Sequence, residues 1–107
     1  MTIDEALNDD LVQVELRDDR KGIYVLRFGS LQTKVKITLR RGRGKETAYT
    51  QSHAIETPIQ AGPYWTSLPS GNSPGDALHK AISGFTMYYT KAVEGGHSPS
   101  EDWLALA

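Results

Sequence analysis

The fold is decided by residues 31–40 (LQTKVKITLR), the clearest alternating stretch in the chain. Every second residue is apolar, Thr33 excepted, and the residues between them are polar or charged. Successive side chains of a β-strand point to opposite faces of a sheet, so this alternation predicts a strand. One face would join the core, and the other would carry Lys34, Lys36 and Arg40.

Three further strands are predicted around it. In the first, Val12, Val14 and Leu16 alternate with polar residues, which predicts a half-buried strand. Only short turns separate the strands, so neighbours should be antiparallel and form a meander. The four strands are predicted at Leu11–Arg17, Ile23–Phe28, 31–40 and 46 to about 56, with turns at 18–22, 29–30 and 41–45.

Helix signals stand at both ends of the chain. Thr2 and Glu5 have capping-box spacing and predict a short helix from Ile3 to Asn8. A longer helix should begin after Ser73 and end at the glycine pair 95–96, with one more short turn at 102–106. Its apolar stripe is Leu78, Ile82, Phe85, Tyr89 and Ala92 or Val93, and Trp103 would anchor the last turn. The prediction is one α+β domain, 1–107: a four-stranded antiparallel meander packed on one main C-terminal helix, with short N- and C-terminal helical turns.

The composition limits where in the cell the protein is expected and how its charge is distributed. The 107 residues include no cysteine and no apolar run of about 18 residues, and the N-terminus does not resemble a signal peptide. We therefore expect a soluble cytoplasmic protein without membrane contact. Net charge is −1, but residues 20–45 hold nine bases and no acid, whereas residues 1–19 hold seven acids and one base. Such segregation predicts a local basic patch.

The densest basic segment is the predicted turn after the third strand, where Gly42 and Gly44 let the main chain approach a ligand closely. The candidate nucleic-acid-binding residues are Lys34, Lys36, Arg40, Arg41, Arg43 and Lys45. The expected partner is nucleic acid or a nucleoprotein. An acidic protein surface and a merely solvated turn that keeps the sheet edge soluble remain alternatives, because no nucleic-acid recognition motif accompanies the cluster.

A second candidate surface is the aromatic loop Gly62-Pro63-Tyr64-Trp65, inside a long connection, 57–72, that has no regular periodicity. Tyr64 and Trp65 held between prolines are typical of protein-binding anchors. The small size of the domain favours, slightly, the alternative that Trp65 folds inward and closes one end of a small core.

Nothing predicts catalysis, a metal or a cofactor. No nucleophile elbow or phosphate-binding glycine loop occurs, and His53, His79 and His97 lack the short repeated spacing of metal ligands. We therefore expect a binding module with no catalytic residue, not an enzyme.

Two stretches of the chain share a pattern with other proteins: Tyr88-Tyr89-x-x-Ala92-Val93-x-x-Gly96-His97-x-Pro99-Ser100-x-x-Trp103-Leu104 and Gln60-Ala61-Gly62-Pro63-Tyr64-Trp65. In these stretches the chain resembles small uncharacterised proteins of bacterial phages and mobile elements. This resemblance implies a bacterial accessory protein that binds host or phage macromolecules, including a host protein in a counter-defence role, and it assigns no functional residue.

The uncovered sheet face also allows a homodimer that would bury Ile23 and Val25.

Overall fold

One antiparallel sheet and one long helix form the body of the protein in the computed structural model, which describes residues 1–66 and 68–107. The sheet has the order β1-β2-β3-β4-β6, and β5 and β7 form a separate two-stranded ladder. The elements are α1 (Ile3–Leu7), β1 (Val12–Asp18), β2 (Ile23–Phe28), β3 (Val35–Arg41), β4 (Thr47–Gln51), β5 (His53–Ile55), β6 (Ser70–Gly71), α2 (Pro74–Glu94), a 3₁₀ turn (Glu101–Trp103) and β7 (Leu104–Leu106). The predicted α+β architecture is confirmed.

The core lies between α2 and one face of the sheet. Alternate residues of β2 and β3 point into it, and the ring of Phe28 stacks on Phe85 of α2 with centroids 4.7 Å apart. The predicted stripe of α2 is buried through Leu78, Ile82, Phe85, Tyr89 and Ala92, while Val93 is exposed. Trp103 is also buried, its ring meeting Tyr89 edge to face. The opposite face of the sheet, hereafter the open face, has no layer upon it among the described residues.

Helix α2 begins and ends as its sequence predicts. The Ser73 hydroxyl accepts a hydrogen bond from the Asp76 amide at 3.1 Å, and Pro74 occupies the first turn. The Asp76 carboxylate contacts the Met1 amino group at 3.2 Å, which ties the N-terminus to α2. At the other end Gly96 has φ +91°, and the His97 amide donates to the Ala92 carbonyl at 3.0 Å.

The prediction that β1 is half-buried is wrong. Val14 and Leu16 are 45% and 47% exposed, because β1 is an edge strand and the register shifts between these two residues. The bulge places Leu16 opposite Val25 on the open face, and it places Arg17 opposite Tyr24 on the helix side.

The ends of the third and fourth predicted strands also differ. Residues 31–34 are not part of β3, because the Glu101 carboxylate accepts hydrogen bonds from the Gln32 and Thr33 amides and holds this segment as a loop. The predicted fourth strand breaks at Ser52, whose amide donates to the Lys36 carbonyl and whose carbonyl accepts from the Ala107 amide.

That break separates β4 from β5 and gives β5 a new partner. Ile55 pairs with Leu104, and His53 pairs with Leu106. The predicted helical turn at 102–106 is therefore wrong beyond Trp103, where the 3₁₀ turn ends. The last residues instead form the strand β7, which provides hydrogen-bond partners for the backbone of β5.

Candidate functional site

Two turns bring basic side chains to one end of the sheet. The β1–β2 turn and the β3–β4 hairpin lie together, with the Leu39 amide donating to the Gly22 carbonyl at 2.7 Å. Residues from both turns line a shallow groove of about 570 Å³. We call this the basic end; its cations are Arg20, Lys21, Arg40, Arg41, Arg43 and Lys45.

The tip of the β3–β4 hairpin is held by its own main chain. The Gly42 amide donates to the Glu46 carbonyl at 2.9 Å, and the Glu46 amide donates to the Arg43 carbonyl at 3.1 Å. Gly44 has φ +61°, a conformation that glycine adopts without strain. Arg43 and Lys45 consequently project into solvent from a defined turn.

Arg40 and Arg41 point to opposite sides of the sheet because they are consecutive in a strand. Arg40 pairs with Ala48 and lies on the open face, in line with Lys36. Arg41 pairs with Thr47 on the helix side and lines the groove. The predicted continuous stripe is thus divided between two faces.

The predicted residues do not form one cluster. Lys36 is exposed on the open face, about 13 Å along β3 from Arg40 at about 3.3 Å per residue. Lys34 is exposed but lies in the loop before β3, so its expected place on the strand is wrong. The two lysines therefore extend the positive surface away from the basic end.

Asp19 and Glu46 also line the groove at the basic end, but neither forms an ion pair with its cations. Arg17 binds Asp4 at 2.6 Å and Asp19 at 2.9 Å, and Arg27 pairs with Glu15. Hydrogen bonds from Arg17, then from the Tyr24 hydroxyl, lower the pKa of Asp19. Within residues 1–66 and 68–107, no carboxylate lies within 4.0 Å of the side-chain nitrogen atoms of the six cations of the basic end or of Lys34 and Lys36.

Arg20 and Lys21 were missing from the predicted site. They lie 20 residues before the hairpin in sequence, but the turns after the first and third strands of a meander fall at the same end of the sheet. The strand order was predicted correctly, so this topological rule, applied to the predicted turn 18–22, would have found them.

Aromatic side chains are absent from the open face formed by the described strands. Tyr24 is fully buried in the core, and its hydroxyl donates to Asp19 at 2.9 Å. The apolar residues on this face are small or aliphatic, with Ile23 and Val25 half-buried. A base has no ring to stack on here, whereas phosphates would meet Arg40 and Lys36.

The aromatic loop lies on the far side of the domain's core, against α2. The Tyr64 amide donates to the Ile55 carbonyl at 2.9 Å, and the Tyr64 ring packs on Tyr88 with centroids 5.1 Å apart. Trp65 is 54% exposed, so the alternative in which it closes the core is wrong. Leu68, in the same connection, is 67% exposed.

The described residues contain no group of three or more His, Asp or Glu side chains arranged to hold a metal ion. In that same part of the chain, no helix is long and apolar enough to cross a membrane. Comparison with protein-family models, with curated proteins and with solved structures found no match to this chain. Function must therefore be inferred from the side chains themselves.

Proposed function

We propose that the protein binds the phosphate backbone of nucleic acid, free or within a nucleoprotein, through the basic end. One observation carries the proposal: cations from two turns lie at one end of the sheet, five of them lining one groove, and no carboxylate among the described residues lies within 4.0 Å of their side-chain nitrogen atoms. Neutralising phosphates with such cations releases condensed counterions, which favours binding whatever the base sequence. The net charge of −1 makes this local surface, and not the whole molecule, the attractive part.

The geometry favours a duplex over a single strand. Proteins that hold single strands without sequence preference stack bases on aromatic rings, and the open face beside the basic end offers none. The β3–β4 hairpin is a two-stranded ribbon, which the major groove of B-DNA, about 12 Å wide, can admit. Arg43 and Lys45 at its tip would then meet phosphates on either side, without reading bases.

The first test measures binding of a fluorescent DNA duplex by anisotropy over a salt series. The double variant R41A/R43A should bind more weakly to every sequence and should reduce the slope of log K against log salt by about 2, one unit for each lost phosphate contact. Lys91→Ala is the control, since it removes one positive charge from the last turn of α2, outside the groove. Equal affinity for the double variant and the wild type would reject the hairpin as the site.

A second double variant tests the contribution of the β1–β2 turn. R20A/K21A should reduce the salt slope by a similar amount, because these cations line the same groove as Arg41. An effect confined to R41A/R43A would mean that the ligand meets the hairpin alone.

A protein partner bound through the aromatic loop is the second candidate function. The observation in its favour is that Trp65 and Leu68, both in one connection, each present apolar area to solvent. Trp65→Ala should abolish capture of a protein partner while leaving the unfolding midpoint nearly unchanged, because the side chain is more than half exposed. Capture from bacterial lysate that survives nuclease treatment, and fails with Trp65→Ala, would support this candidate over the first.

The remaining expectations accompany these proposals. We place the protein in the bacterial cytoplasm, as a non-enzymatic accessory factor of a phage or mobile element. A homodimer through the open face would bury Ile23 and Val25 and would compete with duplex binding at Arg40 and Lys36. Sedimentation equilibrium with and without duplex would show whether the two states exclude each other.

A further inference from the structure

A partly enclosed cavity of about 260 Å³ lies between α2, β4 and the connection that carries the aromatic loop. It shares no lining residue with the groove at the basic end. Its walls are chiefly apolar and aromatic, formed by Ile55, Ala81 and Phe85 with the rings of Tyr64 and Trp65. Drug-sized ligands occupy about 300 to 1,000 Å³, so this cavity suits a smaller molecule with a single ring.

One wall of the cavity is formed by Tyr49, which carries a hydroxyl. Tyr49 is only 4% exposed, and its hydroxyl has no hydrogen-bond partner within residues 1–66 and 68–107. Burial, and secondarily the neighbouring Tyr64, raise the pKa of Tyr49 to about 12, so the group stays a neutral donor. Every buried side-chain polar atom of the described residues has a hydrogen-bond partner, so the unpaired Tyr49 hydroxyl is an accessible atom, and it can bond a polar atom of a ligand in the cavity.

The rim of the cavity carries a positive charge. The Lys80 ammonium donates to the carbonyls of Leu68 at 2.5 Å and of Ser70 at 3.4 Å. An ammonium group has three protons, so one remains for a ligand. No carboxylate of the described residues lies within 4.0 Å of it, and its charge is therefore uncompensated.

We propose that this cavity binds a small hydroxylated aromatic carboxylate. The ring packs against Phe85 and Tyr64, the carboxylate accepts a hydrogen bond from Lys80 at the rim, and the hydroxyl substituent bonds the Tyr49 hydroxyl inside. Trp65 covers part of the mouth with its exposed ring. This binding is independent of the proposed nucleic-acid binding, because the two sites use different residues.

The test titrates 4-hydroxybenzoate into the labelled protein and follows backbone amide shifts by NMR. Saturable shifts at Ala81 and Gly84 are expected, with weaker binding of 4-hydroxybenzamide, which lacks the charge, and of benzoate, which lacks the hydroxyl. The absence of saturation up to about 10 mM, where even weak specific ligands bind, would overturn the proposal. So would shifts clustered outside the cavity, or equal affinity for the acid and its amide.

Matched variants assign each end of the ligand. Lys80→Met should weaken the acid about fivefold to tenfold and leave the amide unchanged, as expected for one charge-assisted hydrogen bond at a half-exposed site. Tyr49→Phe should weaken 4-hydroxybenzoate about threefold to tenfold, to the level of benzoate. Lys91→Met, on the same helix outside the cavity, is the control. If Lys80→Met changes affinity no more than Lys91→Met does, the carboxylate end is wrongly assigned.

Discussion

Substituting two glycines that share a left-handed conformation separates backbone strain from steric overlap. Gly29 has φ +55° and Gly44 has φ +61°. A Cβ at Gly44 would meet nothing within 4 Å, whereas a Cβ at Gly29 would overlap the Tyr89 hydroxyl oxygen and the ring carbon that bears it. Gly44→Ala therefore reports the conformational cost alone, and Gly29→Ala reports that cost together with displacement of Tyr89.

The two costs differ in size. Alanine at positive φ costs about 1 kcal/mol, which is the whole loss expected for Gly44→Ala. In Gly29→Ala, Tyr89 must also move. Its hydroxyl accepts a hydrogen bond from the Ser30 amide at 3.2 Å and its ring contacts Trp103, so the movement disturbs both interactions. Losing that hydrogen bond costs about 1 kcal/mol, and overpacking a buried site adds about 1 to 3 kcal/mol. The expected total for Gly29→Ala is about 3 to 5 kcal/mol.

Urea unfolding monitored by far-ultraviolet circular dichroism measures both free energies. At roughly 4 to 8 °C per kcal/mol for a domain of this size, the melting temperature should fall by about 5 °C for Gly44→Ala and by about 15 to 25 °C for Gly29→Ala. Gly44→Asn should be nearly neutral, because asparagine tolerates positive φ, and Gly29→Asn should stay costly, because it still carries a Cβ. Equal losses for Gly29→Ala and Gly44→Ala would refute the reasoning, since Tyr89 would then yield freely.

Three other predictions concern the hydrogen bonds of Glu101 to the loop before β3, the buried His53, and the cavity. Hydrogen bonds from the Thr33 side chain and from the Gln32 and Thr33 amides lower the pKa of Glu101. The stabilisation by the ionised Glu101 is therefore fully present above about pH 4.5 and is lost as pH falls through the lowered pKa. Glu101→Gln should be less stable than the wild type by about 1 kcal/mol at pH 7, and this difference should disappear in unfolding curves measured in acid. Burial lowers the pKa of His53, so as pH falls the unfolded chain takes up the proton before the folded chain does. The free energy of unfolding should therefore decline as pH falls from about 6.5. His53→Asn should flatten this part of the curve of stability against pH, and an unchanged slope would contradict the role given to His53. Gly84→Ala should change the free energy of unfolding by no more than about 1 kcal/mol from the wild type, because its higher helix propensity offsets the displacement of the half-buried Tyr64 ring by the new Cβ. The same substitution should weaken 4-hydroxybenzoate binding, because it changes the shape of the cavity.

Local signals in the sequence were sufficient for most elements. The alternation in residues 31–40 and in β2 identified the core face, since one side of each strand had to meet α2. Ser73, Pro74 and the glycine pair after Glu94 marked the ends of α2, because their effects act within one turn of the chain. The exposed cations of the hairpin were likewise identifiable, because charged side chains at a turn have little to be buried against.

Tertiary structure decided whatever depended on distant partners. The bulge in β1 exposes Leu16, and β7 exists only because the edge of β5 is there to pair with it. The cavity required Tyr49, Tyr64 and Lys80, from three separate segments, to meet around one space.

The sequence by itself therefore determined the α+β class, the ends of α2 and the basic hairpin, all of which rest on periodicity or on contacts within a few residues. Only the folded chain decided that Trp65 stays outside the core and that a cavity opens beside α2. The physical reason is that these features depend on which surfaces far apart in sequence pack together, and packing is settled by the whole chain at once.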